Sequence, residues 1–285
     1  HDDGPASLLP GARTIVMVAL RYATGAEPAD GVARYAHFTD YHDLLPPRLR
    51  ALGAVVAELG GQARIFCDTS AVSEVEHAVA AGLGWRGQNT LLLSERGGSW
   101  WLLGGLLTDL ELPLDQPVPD RCGSCTACLD ACPTGALLGD RQIDAERCLS
   151  LQTIEQRGPV PEALRPALRD WVFGCDVCQE VCPWSRPRPT SPPPDPALAA
   201  TAHGWRPAAA WLAAPSDDLR AAVRRTPLTR PKPAGLRRNL CLWLGAQRQI
   251  SLSQIDALRS AAADESPLVA EAAAWALARH DETAT

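Results

Sequence analysis

The 285-residue sequence predicts an α+β protein of three parts: a layered α/β N-terminal domain, a small cysteine-rich module and a C-terminal domain of helical repeats. Three observations predict it. Short apolar runs alternate with helix-length segments before residue 118, eight cysteines fall between Cys122 and Cys182, and an Ala- and Leu-rich tail follows repeated proline. The boundaries fall at 1–118, 119–186, a linker at 187–200, and 201–285.

In the first part, Ile15 to Leu20 reads as a strand, followed by a helix from about Tyr41 to Leu59, a strand at Ala63 to Cys67 and a helix from Val72 to Ala81. Thr90 to Leu93 and Trp100 to Leu107 are too short for long helices and are bounded by Gly, so they read as buried strands. Because His1 is no initiator and a strand follows so soon, this domain reads as incomplete at its start.

The cysteine module follows. Its pattern is Cys122-x2-Cys125-x2-Cys128-x3-Cys132-Pro133, then Cys148, then Cys175-x2-Cys178-x3-Cys182-Pro183. Such spacing lets three thiolates converge on one iron–sulfur cubane, and the cysteine before proline ligates the other cluster in two-cluster ferredoxins. A ferredoxin-like module with two [4Fe-4S] clusters is therefore predicted. Cys122, Cys125, Cys128 and Cys182 would hold one cluster, and Cys132, Cys148, Cys175 and Cys178 the other. Structural zinc is the competing use of paired Cys-x2-Cys, but its knuckles usually stand farther apart. A disulfide framework fits poorly, since a chain of this length needs no staples and shows no apolar leader. The cysteines therefore argue for a reducing cytoplasm.

Beyond the linker, where proline favours extended backbone, helical spacing recurs at Ala208 to Leu212, Asp218 to Val223, Leu236 to Leu244, Ser253 to Ala262 and Leu268 to His280. Trp243 and Trp275 hold comparable places in two of these helices, which suggests HEAT-like units with the tryptophans in the core.

Composition fits a soluble enzyme: 46% of residues are hydrophobic, 21% are charged, and no apolar run reaches the ~18 residues of a membrane helix. A net charge of -6 disfavours nucleic-acid binding, yet Arg220, Arg224, Arg225, Arg230, Lys232, Arg237 and Arg238 form an acid-free cationic stretch. That stretch is either a phosphate-binding patch or a solvated loop. The segment Gly82 to Gly87 lacks the Lys-Ser/Thr ending of a phosphate loop and follows no strand, so its glycines are expected to end a helix and permit close backbone approach.

Several segments together carry a family resemblance over almost the whole chain. They are Ala33-Arg34-Tyr35-Ala36, Asp40-Tyr41-His42, Asp68-Thr69, Ala81 to Gly87, Asn89-Thr90-Leu91-Leu92, the cysteine runs, Thr153-Ile154-Glu155 and Thr226-Pro227-Leu228-x-Arg230. The chain resembles the epoxyqueuosine reductases, cobalamin-dependent iron–sulfur enzymes of tRNA queuosine biosynthesis. The resemblance implies cobalamin between the N-terminal domain and the cluster module, single electrons from the clusters, and removal of the epoxide oxygen from a modified guanosine in the tRNA anticodon loop. It implies Asp68 as proton donor, and Asp68, Asn89, Leu92 and Thr153 around the cobalamin. Capping of the next helix is the ordinary role of an Asp in that position. A carboxyl acting as an acid near neutral pH would need burial to raise its pKa.

The resemblance also turns the cationic stretch into a tRNA surface, with Arg224, Arg225, Arg230, Lys232, Arg237 and Arg238 as candidate contacts, Thr226 a further candidate, and the base splayed into the pocket. Asp40-Tyr41-His42 lacks the glycine of the cobalt-ligating Asp-x-His-x-x-Gly signature, so cobalamin is expected without a histidine ligand. Cys241 reads as a buried hydrophobe, whereas Cys67 could face the cofactor cavity. Val75 and Gln88 stand where the family has basic residues. A substrate change is one consequence, so a cobalamin-dependent reductase of a small molecule, such as a dehalogenase, is the alternative enzyme. A non-catalytic electron carrier is the third reading. The electron donor and the oligomeric state are open at this point.

Overall fold

The computed structural model describes residues 5–22, 31–68, 72–198 and 208–282. His1, Thr69 of the family motif, the linker's last positions 199–200 and positions 201–207 lie outside the described residues. A short helix α1 (Pro5–Leu8) precedes strand β1 (Thr14–Arg21), helix α2 (Tyr41–Glu58), strand β2 (Ala63–Phe66) and helix α3 (Glu74–Ala80). A hairpin of β3 (Trp85–Arg86) and β4 (Leu92–Leu93) leads to β5 (Trp101–Thr108).

Strand β5 is central: β1 and β2 flank it in the order β1-β5-β2, both antiparallel, with Thr108 opposite Thr14 on one side and Ala63 on the other. Alternation of side chains assigns the two faces. Leu20, Ile65 and Leu102 pack with Leu45 and Leu49 of α2, while Met17, Phe66 and Leu107 pack with Ala78 of α3. The domain is thus a sheet between two helical layers. Burying each of Leu49, Leu106 and Leu107, which are 1%, 1% and 0% exposed, contributes about 1.5–3 kcal/mol. Gly105 is required here, since a Cβ would meet Val16 O at 2.5 Å and the Phe66 ring at 2.6 Å.

Two expected elements are shorter than predicted. The strand expected at Thr90 to Leu93 shrinks to β4 because Thr90 adopts φ of 67° in the turn. Helix α3 begins at Glu74 rather than Val72, behind Ser73 at its N-cap. The glycines of the 82–87 segment act as anticipated at the helix end: Gly82 has φ of 71° just past α3.

The module contains α4 (Ala127–Ala131), the hairpin β6 (Leu137–Gly139) and β7 (Gln142–Ile143), α5 (Leu149–Ile154) and α6 (Val177–Glu180). The proline-rich segment after it is no free spacer. Asp195 N–H donates to Arg21 O, the Arg48 guanidinium holds the Asp195 carboxylate, and Leu198 joins the core beside α2.

Helices α7 (Ala208–Ala213), α8 (Ser216–Ala222), α9 (Lys232–Ala246), α10 (Leu252–Ala261) and α11 (Pro267–Glu282) complete the chain. Their core is continuous with α5 and residues 160–173 of the module. Helices α9 and α11 cross closely at Gly245, where a Cβ would meet Trp275 at 2.5 Å. Trp243 and Trp275 pack, partly buried, against that core. Among the described residues no helix is long and apolar enough to cross a membrane.

Candidate functional site

Three cavities lie in series. The first, of about 160 Å³, is lined by Cys122, Cys125, Cys128 and Cys182. The second, also about 160 Å³, is lined by Cys132, Cys148, Cys175 and Cys178. Each set brings residues of α4 or α5 together with distant residues around α6, so the grouping is a product of the fold. Among the described residues no three Cys, His, Asp or Glu close onto a single ion. Four thiols around a cavity of this size suit a cubane cluster.

Asn89 lines both cysteine cavities, and its amide donates to Cys178 O at 3.5 Å. The turn that carries it depends on Gly87, whose Cβ would strike the Asn89 side chain at 2.4 Å.

The third cavity, about 320 Å³, opens between the sheet domain and the module. It shares Leu91, Ser150 and Gln179 with the second cavity, and no residue with the first. Leu92, Leu102, Leu103 and Ile154 give it apolar walls, while Asp68, Glu155 and Arg230 place charge at one end. Within the wall, Tyr22 and Ser99 hydroxyls donate to Gln179 Oε1 at 3.2 and 3.1 Å, and Gln179 donates to the buried Asp176. This polar seam joins the two domains. Apolar walls with a few polar anchors are the lining that one face of a flat macrocycle such as a corrin would take.

Asp68 lies at the cavity edge just past β2, with φ of 59° and its backbone N–H donating to Glu74 Oε1 at 2.6 Å. Such a conformation in a non-glycine residue stores strain and accompanies functional sites. Its Oδ2 accepts from Tyr41 O–H at 3.0 Å and from Arg230, and His42 Nε2 stands 3.6 Å away, an ion-pair distance too long for a hydrogen bond. His42, then Arg230 and Tyr41, hold the carboxyl well below the usual carboxylate range despite partial burial. His42 is pushed up to about 9, first by Asp40, whose Oδ1 lies 2.8 Å from Nδ1, and then by Asp68. The condition set for an acid at this position, burial that raises the pKa, is not met here, because the neighbours of Asp68 outweigh its partial burial. At neutral pH the proton resides on His42 and Asp68 is a carboxylate.

The other expected cobalamin contacts divide. Leu92 lines the third cavity, as does Val75. Asn89 sits between the cysteine cavities instead. Thr153 is fully buried, donating to Leu149 O at 2.8 Å and accepting from Gly174 N–H at 2.9 Å, so it braces α5 behind the cleft. Gln88 lines the first cavity and accepts from Arg141 N–H at 3.3 Å. Cys67 turns into the core beside α2, with Sγ 3.7 Å from Leu103 O, and Cys241 is fully buried.

The cationic stretch also divides. Arg224, Arg225 and Lys232 are exposed, with Arg225 3.1 Å from Asp43. Arg230 points into the cleft toward Asp68 and Glu155. Arg237 pairs with Asp264 at 2.8 Å and donates to Leu212 O and Ala214 O. Arg238, 0% exposed, donates to the carbonyls of Gln152, Gln156 and Gly158, and neighbouring Asn239 donates to those of Thr153 and Val172. Arg237 and Arg238 thus leave the set of RNA contacts, because helical packing draws both inward. Thr226 leaves it too: it is 1% exposed and donates to Val223 O. The roles of His42, Tyr41 and Gln179 were missed by sequence reasoning. The one available signal was His42 two residues after an N-cap Asp.

The chain is similar to known proteins in sequence and in fold. Residues 3–69 match the family described as "Epoxyqueuosine reductase QueG, DUF1730", and residues 121–185 match the "4Fe-4S double cluster binding domain". An epoxyqueuosine reductase of Pseudomonas aeruginosa is 38% identical over 98% of this chain and 80% of its own length. A crystal structure of epoxyqueuosine reductase with a modified tRNA-Tyr stem loop superimposes with a TM-score of 0.87 at 28% identity, covering 96% of this chain and 75% of that one. The Bacillus subtilis epoxyqueuosine reductase, solved with its catalytic aspartate loop swung out of the active site, gives 0.79 at 28% identity, covering 96% and 75%. By sequence relationship and by fold, the chain belongs to the epoxyqueuosine reductase family.

Proposed function

We propose that this chain reduces epoxyqueuosine in tRNA to queuosine with its family's cofactors, two [4Fe-4S] clusters and cobalamin. The observation that carries the reading is the series of cavities, two walled by four cysteines each and the third ending at Asp68. Cys122, Cys125, Cys128 and Cys182 would ligate one cluster and Cys132, Cys148, Cys175 and Cys178 the other, and the third cavity would take the corrin. Cobalamin, when bound, supplies the reducing centre that the protein positions.

Loss of the epoxide oxygen as water needs two electrons and two protons. Asp68 serves as proton donor in a relay: once His42 Nε2, 3.6 Å away here, closes to hydrogen-bond distance, the Asp68 Oδ2 takes its proton and passes it to the leaving oxygen, and solvent supplies the second proton. That step requires Arg230 to release the carboxylate, since the ion pair opposes protonation. Substrate phosphate competing for Arg230 would do this. A relative seen with its catalytic aspartate loop displaced supports a mobile acid.

Arg224, Arg225 and Lys232, exposed near the cleft, would contact RNA phosphates while the base enters the pocket. The helices from α7 to α11 read as HEAT-like units carrying that surface. The test is anaerobic incubation of the reconstituted protein with reductant and epoxyqueuosine-bearing tRNA, followed by nucleoside mass spectrometry. Loss of one oxygen establishes the function, and none from fully loaded protein overturns it.

A further inference from the structure

The order of the cavities gives electron flow a direction. Only the second cysteine cavity shares walls with the cleft, so the first is the remote one. It also holds Cys125, the one exposed cysteine of the eight. An electron from outside meets the Cys122 set first, crosses past Asn89, and reaches the cleft through the second set.

The surface at this entry is built around Trp184. Its indole lines the first cavity, packs edge-on against buried Trp85 at 5.1 Å, and donates through Nε1 to Arg121 O at 3.3 Å. The Arg188 guanidinium lies 4.4 Å over the same ring. Arg186, between them in sequence, is exposed. Arg121 is neutralised by Glu95 at 2.6 Å, but neither Arg186 nor Arg188 has an ion-pair partner among the described residues. The chain is acidic overall, at -6, yet the rim of its electron entry is cationic.

We propose that the face formed by Trp184, Arg186 and Arg188 over the Cys122 set docks a small acidic one-electron carrier protein. The inference rests on the cluster assignment above. Each docking passes one electron: the carrier's reduced group is oxidised by one electron, the oxidised cluster is reduced by one, and no bond or proton changes. Two dockings supply the two electrons of one turnover. Carrier encounters of this kind use small interfaces and electrostatic steering, so the rate should depend strongly on salt.

The test uses the reconstituted protein with both clusters, and a flavodoxin in its hydroquinone state as probe. Stopped-flow bleaching of cluster absorbance gives the second-order rate, and dithionite, which needs no docking face, gives the reference. Arg186→Glu with Arg188→Glu should slow bleaching by flavodoxin at least tenfold at low salt and flatten its salt dependence. Bleaching by dithionite, iron content and affinity for a tRNA stem loop should stay as in the parent. Arg186→Lys with Arg188→Lys should retain most of the flavodoxin rate. An unchanged flavodoxin rate in the Glu variant overturns the docking face. A tenfold loss of stem-loop affinity also overturns it and makes the patch an RNA surface. If the parent protein binds no iron and shows no dithionite bleaching, the cluster assignment itself has failed, and the docking proposal with it.

Discussion

Arg230 and Asp68, 162 residues apart, meet at the mouth of the cleft, and the same guanidinium reaches Glu155 Oε1 through Nε at 3.0 Å. One cation thus joins the loop after β2 to the end of α5 across the opening. Because His42 and then Arg230 hold Asp68 as a carboxylate, Arg230→Met should raise the Asp68 pKa part of the way toward the ordinary value of about 3.9. Isotope-edited NMR of the carboxyl carbon would read the shift. A pKa unchanged from the parent would show that His42 alone sets it.

His42 should give the reaction an alkaline limb. Its pKa is pushed up to about 9 by Asp40 and Asp68, so turnover driven by its proton is expected to hold through neutral pH and decline as pH rises through 9. Stability follows the same sign. A folded-state pKa above the unfolded value of about 6.5 contributes stability that is complete below 6.5 and lost as pH rises through 9. His42→Gln should remove the alkaline limb and slow turnover by roughly 10²-fold. A retained limb would assign it to another group.

Asp68→Asn should leave iron content and cobalamin absorbance intact while lowering single-turnover conversion by about 10²–10⁴-fold, the usual contribution of a positioned acid. Near-parental conversion would return Asp68 to a structural role at the end of β2.

The cysteine grouping makes a crossed prediction. Cys182→Ser should damage the same cluster as Cys122→Ser although the two lie in different runs, and Cys148→Ser should damage the other. Iron analysis with EPR of each reduced variant would show two matching spectra and one distinct spectrum. A Cys182→Ser spectrum matching Cys148→Ser would overturn the exchange of cysteines between runs.

That grouping was legible in the sequence because short spacings leave thiolates few ways to converge. The layered domain was legible for a similar reason, since strand runs such as Ile15 to Leu20 and the helical spacing of Tyr41, Leu45 and Leu49 are local. The charge state of Asp68 was not. It depends on Arg230, brought from the far side of the linker, and on His42, whose role is visible only once β2 and α2 are adjacent. Thr153 was misplaced because a motif records that a residue matters without saying which way it faces. Arg238 was misread for the same reason, since a run of cations looks alike whether it is solvated or drawn into a helix interface.

Arg238 supplies the last test. With its guanidinium bonded to three carbonyls of the module at zero exposure, Arg238→Met leaves those acceptors without their donor and should cost about 3 kcal/mol or more. Thermal unfolding would read this as a drop in Tm, with stem-loop affinity unchanged in the folded fraction. The surface cations should behave oppositely. Arg224→Ala with Lys232→Ala should leave Tm near the parent, weaken stem-loop binding, and reduce the slope of log affinity against log salt by about two, because each phosphate contact contributes close to one. If Arg238→Met lowered affinity without lowering Tm, the inward assignment of Arg238 would be wrong and the RNA surface would extend along α9.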